Sequence, residues 1–306
     1  MKNNKPVLFS TWGKKYSAPV ASADKMNAVL SLEDKIADDT VWCGTFNLIW
    51  NDLKNELAKK DIEFTPQLDV VRNLNKGTFN TECLSEDSYY KVYGKPTIEL
   101  KKQIEKEIKR KFNETSDILD DFNWSESGDK DYFLYSMLKK EFEFPKVFDR
   151  LEKGKFKDWK NVKYFGIKKK TSEKVREQVK VLYYNSKEDF AIKLLTKSND
   201  EVIISRGNKA NTFGEIYAEI KENNENFKGS KNIEEDEIVK IPNIDFKLKK
   251  EFNEIEAKPF LFASGEEYVI EKAVQTIEFS LDEKGGRVKS EAGMVNKTTA
   301  LLPDLE

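Results

Sequence analysis

The sequence has no histidine, and this absence excludes several classes of enzyme. Neither a Ser-His-Asp nor a Cys-His arrangement can form, and zinc sites built on histidine are excluded. No glycine-rich phosphate loop occurs either. Carboxylate pairs are abundant in a chain with 55 acidic residues, so such a pair indicates surface charge rather than a catalytic dyad. The chain is therefore predicted not to be an enzyme, and neither a cofactor nor a metal site is expected.

Cysteines and long apolar runs are also scarce. Cys43 and Cys83 are the only cysteines, and without signs of secretion they are expected to be free, buried thiols. The basic start MKNNKPVLFSTWGKKYS has an apolar run that stops after Phe9, which is too short for a signal-peptide core. No apolar run approaches the length of a membrane span. We therefore expect a cytoplasmic chain with no membrane partner.

The charge is nearly balanced, with 53 basic and 55 acidic residues and a net charge of -2. This balance gives no reason to expect nucleic acid or an anionic membrane surface as a partner. A length of 306 residues allows one large domain or two small ones, with a substantial core in either case.

The C-terminal part of the chain carries the clearest pattern. Apolar and polar residues largely alternate over 273–281, which predicts a half-buried strand. Asp282-Glu283-Lys284-Gly285-Gly286 interrupts the strand, and its paired glycines are typical of a hinge. Beyond the hinge the alternation resumes, with Gly286, Val288, Ser290, Ala292 and Met294 on one parity and Arg287, Lys289 and Glu291 on the other. This segment is either a solvated tail or a loop that can become a strand whose charged side chains face solvent.

Earlier parts of the chain supply helices. Residues 1–39 are predicted to be an extended lead-in with one short helix over 22–30. Thr40 is predicted to cap a strong helix, whose apolar stripe is Trp42, Phe46, Ile49, Leu53 and Leu57. Pro96-Thr97 opens a second helix, with an apolar stripe of Leu100, Ile104, Ile108 and Phe112. A third helical period covers 211–223.

Between and after these helices, apolar runs predict strands. Residues 132–138 form a continuous apolar run that suits a strand buried on both faces. The other predicted strands lie at 162–167, 178–184, 190–196, 202–205 and 238–248, before the one at 273–281.

The turn Asp282-Glu283-Lys284-Gly285 resembles the hinge of the reactive loop of serpins. In that family a sheet strand ends in such a turn, and small residues after it can insert into the main sheet. Residues 108–122 are similar to the serpin helix that lies across this sheet, and 132–138 are similar to its central strand. Ser136 or a neighbour stands where the family usually has an asparagine. The charged residues Arg287, Lys289 and Glu291 depart from the family's hinge pattern.

The resemblance implies an α+β fold: a serpin-like single domain of mixed or antiparallel β-sheets packed with helices, with an exposed C-terminal reactive loop. The implied division of the chain is a lead-in over 1–39, the domain over 40–282, and hinge and reactive-centre loop over 283–306. Serpins continue past this loop into two buried strands, so the chain resembles a shortened member. Truncation of a longer chain, strands supplied by a partner, or a family assignment that fails at this end all remain open.

The resemblance also implies a function, inhibition of a serine-type protease by loop cleavage and insertion into the main sheet. The alternative is a serpin-like protein without inhibitory activity that binds a partner. The expected partner is a target protease, with no nucleic acid, and the chain is expected to be a monomer. The implied hinge residues are Glu283, Gly285, Gly286, Val288, Ser290 and Ala292. The implied scissile bond is Thr299–Ala300, with Lys297 as an alternative for a trypsin-like enzyme.

Overall fold

A computed structural model of the chain describes residues 26–37, 39–125, 128–156, 159–198 and 200–299. The strands are β1 (Asn27–Val29), β2 (Thr40–Trp42), β3 (Tyr89–Gly94), β4 (Tyr132–Glu143), β5 (Asp149–Phe156), β6 (Trp159–Ile167), β7 (Val179–Ser186), β8 (Asp189–Leu195), β9 (Glu201–Arg206), β10 (Val239–Pro242), β11 (Ile244–Glu251), β12 (Pro259–Leu261), β13 (Glu267–Leu281) and β14 (Gly285–Thr298). The helices are α1 (Thr45–Asp52), α2 (Asp69–Lys76), α3 (Ile98–Phe112), α4 (Glu173–Arg176) and α5 (Phe213–Asn226). Short helical turns cover Leu53–Ala58, Thr81–Cys83, Glu86–Ser88, Leu119–Asp121 and Asn253–Ile255.

The largest sheet has six strands, in the order β11-β13-β14-β4-β3 with β12 added beside β13. All of its pairings are antiparallel. Two three-stranded antiparallel sheets follow the orders β10-β6-β5 and β7-β8-β9, and β1 pairs in parallel with β2. The predicted α+β class with antiparallel sheets packed with helices is confirmed. Within the described ranges, no helix combines the length and apolar character that a membrane span requires.

Helix α1 packs behind the six-stranded sheet, where Phe46, Ile49 and Trp50 enter the main hydrophobic core. The helix begins later than predicted, because Thr40 and Trp42 lie in β2 and Gly44 takes the N-cap position. Tertiary packing decides this boundary: the β-branched pair Thr40-Val41 suits a strand, and β2 finds a partner in β1. The short helix expected over 22–30 is also wrong, since Asn27–Val29 is β1; residues 22–25 lie outside the described ranges.

Helix α3 agrees closely with its prediction. The Thr97 hydroxyl accepts a hydrogen bond from the Leu100 N–H at 3.3 Å, and Ile104, Ile108 and Phe112 are buried. The helix ends where Asn113 adopts a left-handed conformation with φ of 54°. The helical interpretation of 108–122 therefore holds only through Phe112. Residues 113–124, here called the crossing segment, continue without an α-helix over the outer face of the large sheet.

The remaining predicted strands are confirmed as β6, β7, β8, β9, β10 and β11, and the predicted helix over 211–223 as α5. Arg176 at the end of α4 is buried, and its guanidinium donates to the carbonyl oxygens of Lys168, Thr171, Glu234, Glu235 and Glu237. These bonds hold the acidic stretch 234–237 against α4. Both cysteines are free thiols, and Cys43 is fully buried.

Candidate functional site

The segment after the hinge is the middle strand of the large sheet. β13 and β14 form an antiparallel hairpin that begins with the pair Leu281 and Gly286 and extends to Tyr268 and Thr298. On its other edge β14 pairs antiparallel with β4, from Gly285 opposite Glu143 to Asn296 opposite Tyr132. The resemblance implied an exposed reactive loop over this segment. That prediction is wrong as far as Thr298, because the segment is a strand paired on both edges. The alternation of small and charged residues gives this segment a strand period, and both of its edges find partners.

A tight turn connects the two strands. The Lys284 N–H donates to Oδ1 of Asp282 at 2.8 Å, and the Asp282 N–H donates to the Gly285 carbonyl at 2.9 Å. The turn is also tied to the loop after β4, because the N–H groups of Phe144 and Phe148 donate to the carbonyls of Lys284 and Glu283, each at 2.9 Å. The hinge is therefore held on both sides.

Glu283 anchors this turn through its side chain. It is 7% exposed, and one carboxylate oxygen accepts from Nε of Arg150 at 2.7 Å and lies 2.6 Å from its Nη2. Burial raises the pKa of the Glu283 carboxyl, but its own backbone N–H and Arg150 outweigh burial and lower the pKa overall. Glu283 thus stays ionised and joins the hinge to β5.

The hinge glycines serve close approach. A Cβ atom at Gly285 would lie 2.0 Å from the Phe142 carbonyl oxygen. One at Gly286 would lie 2.4 Å from the Phe142 ring and 2.7 Å from the Ser280 carbonyl oxygen. Any side chain here would therefore separate β14 from β4 or β13. The sequence analysis explained these glycines by turn flexibility, whereas in the structure they allow close approach of the neighbouring strands.

The inner face of β14 packs against the main core. Val288, Ala292 and Met294 are buried there, as their parity predicted. Ser290 is fully buried: its hydroxyl donates to the Thr276 carbonyl at 2.7 Å and lies 2.7 Å from the hydroxyl oxygen of Thr45 at the start of α1. The small residues allow α1 to lie close behind the sheet.

Polar side chains of the neighbouring strands complete this contact with α1. Gln275 on β13 donates through Nε2 to the Thr45 hydroxyl at 2.8 Å and to the Cys43 carbonyl at 2.9 Å. Ser136 on β4 donates to the Thr45 carbonyl at 2.8 Å. Cys43, two residues before α1, and Thr45, its first residue, thus bind side chains from all three central strands.

The outer face of β14 differs from the prediction. Lys289 and Glu291 were expected to face solvent, yet they are 4% and 0% exposed because the crossing segment covers them. The Lys289 Nζ lies 2.7 Å from Oδ2 of Asp117 and 3.5 Å from Oε1 of Glu291. Arg287 is less buried and pairs with Glu114 at 2.7 Å. The outward-facing residues Arg287, Lys289 and Glu291 thus form a largely buried row of charged side chains, here called the polar seam.

Glu291 occupies a site with three hydrogen-bond donors. Its carboxylate accepts from the Ser116 hydroxyl at 2.6 Å, the Tyr135 hydroxyl at 2.7 Å and the Asp117 N–H at 3.0 Å. Next along the strand, Gly293 lies beneath Phe122, whose ring would be 2.9 Å from an added Cβ. The crossing segment thus presents a different surface to each outward residue of β14.

Charge and burial oppose each other in this seam. Burial raises the pKa of the Glu291 carboxyl, and its donors and Lys289 counteract only part of this effect. Burial also raises the pKa of the Asp117 carboxyl, but Lys289 and Lys247 outweigh it and lower the pKa overall. Burial lowers the pKa of the Lys289 ammonium, whereas Asp117 and Glu291 raise it further, so the lysine stays charged.

Two of the three residues proposed for the scissile bond, Lys297 and Thr299, lie at the end of β14 away from the hinge. Lys297 is partly exposed and pairs with Glu271 at 2.6 Å. Thr299 directly follows β14, and its N–H donates to the Glu267 carbonyl at 3.1 Å. Ala300 lies outside the described residues. The hinge therefore lies at one end of β14, and Lys297 and Thr299 lie at the other.

Sequence reasoning missed the residues that receive the strand. Thr45, Gln275, Glu114, Ser116 and Asp117 carried no signal, because each is an ordinary polar residue far along the chain from its partner. Ser136 alone was singled out, by its position in the resemblance. In the described ranges, no cluster of His, Cys, Asp or Glu is arranged to hold a metal ion.

No family model matches the sequence, and no curated protein matches it. The chain is similar in structure to a cleaved form of Serpin 42Da, with 12% identity and a TM-score of 0.46 over 66% of this chain and 57% of the other. For reactive-loop-cleaved human thyroxine-binding globulin the values are 9% and 0.44 over 65% and 61%. For the viral serpin CrmA they are 8% and 0.49 over 82% and 99%.

The chain thus spans 57% and 61% of the length of the first two solved structures. All three are serpins, the family that the hinge resembles in sequence. With identities of 8 to 12% and TM-scores below 0.5, the likeness is partial, and functional inferences rest on the chain's own geometry.

Proposed function

We propose that the chain is a divergent serpin-like inhibitor of a serine-type protease, and that its described conformation is the form in which the reactive segment is inserted. One observation carries the proposal. β14 follows β13 through a tight turn and lies antiparallel between β13 and β4 along its length. The segment that the resemblance identifies as hinge and reactive loop thus lies, as far as Thr298, at the centre of the sheet.

The strand directions supply a driving force for insertion. Because β14 is antiparallel to both neighbours, β4 and β13 run parallel to each other. Without β14 these two strands could close only as a parallel pair, which is less stable per residue. Insertion replaces that ladder by two antiparallel ladders, and each added hydrogen bond contributes about 1 kcal/mol. The inserted form is therefore the stable one.

The geometry also separates the cut from the hinge. β14 contains 14 residues, and Lys297 and Thr299 lie at its far end. At roughly 3.3 Å per residue, this end is about 45 Å from the hinge. A protease joined to Lys297 or Thr299 as an acyl-enzyme would therefore be carried along the length of the sheet during insertion. Such displacement is how a loop-inserting inhibitor traps its target.

A second function, partner binding without inhibition, is favoured by the polar seam. Lys289 and Glu291 have buried partners on the crossing segment, so β14 is fitted to its place in detail. The inserted strand is also formed in an uncut chain. In this alternative β14 is a permanent strand, and the fold presents its surface to a partner.

The experiment that separates the two functions is incubation of the purified chain with elastase-like, subtilisin-like and trypsin-like serine proteases. Denaturing electrophoresis that shows a covalent complex supports the inhibitor. The Lys297→Ala variant is the matched control, since it should abolish only a complex formed with the trypsin-like enzyme.

The melting temperature before and after cleavage at 297–300 gives a second measurement. A clear rise on cleavage indicates that the segment lay outside the sheet before the cut, as an inhibitor requires. Cleavage without a rise and without a covalent complex, for every protease, overturns the inhibitor proposal and leaves the binding function.

A further inference from the structure

We propose that the outer face of β14 is a register code: Lys289, Glu291 and Gly293 are each matched to one site on the crossing segment and its neighbours, so only one alignment of the inserted strand is accepted. The inference rests on the proposed function, because it concerns how the reactive segment enters the sheet. It makes the sheet selective for a strand of the form Lys-x-Glu-x-Gly with small residues between.

The inner face of β14 opposes a register shift by side-chain size, but it carries no charged side chain that distinguishes one alignment from another. A shift by one residue would exchange the two faces and is excluded by the core. A shift by two residues keeps Val288, Ala292 and Met294 on the inner side, but it removes the Ser290 hydroxyl bond and places larger side chains where smaller ones now fit closely. Such a shift changes the connection between Leu281 and Gly286, but hairpins tolerate several loop lengths. The outer face adds a determinant based on charge to this steric one.

The outer face of β14 opposes the two-residue shift that lengthens the turn. Moving Glu291 into the place of Lys289 would set its carboxylate against Asp117, at the site where the ammonium now lies 2.7 Å away. Glycine would then occupy the site of Glu291, leaving three donors without their acceptor. Val295 would enter the place of Gly293, where even a Cβ lies 2.9 Å from the Phe122 ring.

The opposite shift is excluded by the same sites. Lys289 would enter the place of Glu291 and face the hydroxyls of Ser116 and Tyr135, with the Asp117 N–H beside them as a third donor. Glu291 would then lie beneath Phe122 and Ile118, which form part of an apolar cluster. Each two-residue shift therefore buries at least one charge without a partner of opposite sign.

The test moves the code along the strand and asks whether the strand follows. The variant Glu291→Lys, Gly293→Glu, Val295→Gly carries Lys-x-Glu-x-Gly two residues later. In the described register Val269 is opposite Lys297, so the cysteine pair V269C/K297C reports that alignment. The pair V269C/T299C reports the shifted one. Both pairs are placed in a Cys83→Ser background, and disulfide formation in the folded chain is measured by mass spectrometry.

We expect the unchanged strand to cross-link through position 297 in preference to 299 by about tenfold or more, and the shifted code to reverse this preference. A shifted-code chain that folds and still cross-links through position 297 overturns the inference. If that chain does not fold, the triple variant Lys289→Gln, Glu291→Gln, Phe122→Ala decides, because it removes both charges and the ring that lies above Gly293. It should cross-link through both positions, whereas a native alignment that stays unique without the two charges and the ring would refute the code.

These measurements use no protease and therefore separate the inference from the proposed function. A chain that never traps a protease but shifts register with the code retains the code and loses the inhibitor. A chain that traps a protease and ignores the code does the opposite.

Discussion

The two faces of β14 are buried by different means. The inner face is covered by helix α1 and a large apolar core, into which Val288, Ala292 and Met294 fit because they are apolar and of suitable size. The outer face is covered by the crossing segment, in which Lys289 and Glu291 fit because particular groups face them. The inner face thus favours any strand of the right polarity, whereas the outer face distinguishes one strand from another. Substitutions on the two faces should therefore differ in size and in their possibility of rescue.

The largest effect is expected for Val288→Asp. This side chain is 4% exposed on the inner face, and the new carboxylate would be buried in the apolar core. We expect a loss of about 4 kcal/mol or more in the free energy of unfolding. Urea unfolding followed by tryptophan fluorescence measures it, with Val288→Ala as the size control, expected near 2 kcal/mol. Equal losses for the two variants would mean that the inner face is open to water.

Lys289→Asp is expected to be nearly as damaging. Lys289 was expected to face solvent, but its buried ammonium compensates the charges of Asp117 and Glu291. Its reversal should cost about 3 to 5 kcal/mol in the free energy of unfolding. Arg287→Ala is the control, because that side chain is 37% exposed and its pairing with Glu114 should contribute at most about 1 kcal/mol. Indistinguishable denaturation midpoints for Lys289→Asp and Arg287→Ala would show that the seam is open to water.

Gly293→Ala should have an intermediate effect. The added methyl group would lie 2.9 Å from the Phe122 ring, so the ring or the strand must move, at a cost of about 1 to 3 kcal/mol. The double variant Phe122→Leu, Gly293→Ala should lose less than the sum of the two single variants, measured by thermal unfolding. Strict additivity would contradict direct contact between these residues.

The smallest effects should appear in the pH dependence. The lowered pKa of Asp117 contributes stability above its unfolded value of about 3.9, and this contribution is lost as the pH falls through the folded pKa. The raised pKa of Glu291 acts in the opposite sense: ionisation costs stability at neutral pH, and this cost disappears as the pH falls towards about 4.3.

Two neutral variants isolate these opposed contributions. As the pH falls, the stability of the unchanged chain relative to Asp117→Asn should decrease, whereas its stability relative to Glu291→Gln should increase. Urea midpoints between pH 3 and 8 measure both differences. Slopes of the same sign would show that the two carboxyls do not experience opposite environments.

Much of the sheet could be predicted from the sequence because its determinants are local. Residues 273–281 and 286–294 alternate with a strand period, and the turn between them carries acidic residues and paired glycines. The stripe of α3 and its cap at Thr97 likewise depend only on neighbouring residues. Where period and composition agree over several residues, packing confirmed the prediction.

The outer face of β14 could not be predicted from local pattern. Alternating charged residues on a strand ordinarily indicate a solvated face, and that interpretation failed because the cover lies far away in sequence. Ser116 is 175 residues from Glu291, and Tyr135 is 156 residues from it. The predicted start of α1 was wrong for a related reason. Trp42 fits a helical spacing, but its segment pairs with β1. In both cases a distant partner overrode the local signal.

The ion pair between Glu283 and Arg150 links the turn between β13 and β14 to the three-stranded sheet that contains β5. Glu283 is 7% exposed, whereas the Arg150 side chain is 76% exposed on β5. Any displacement of the turn relative to β5 would therefore have to break this ion pair. The Arg150 side chain of this ion pair lies on the surface, where solutes and partners can reach it. The position of the central strand is thus coupled to an arginine that lies outside the large sheet.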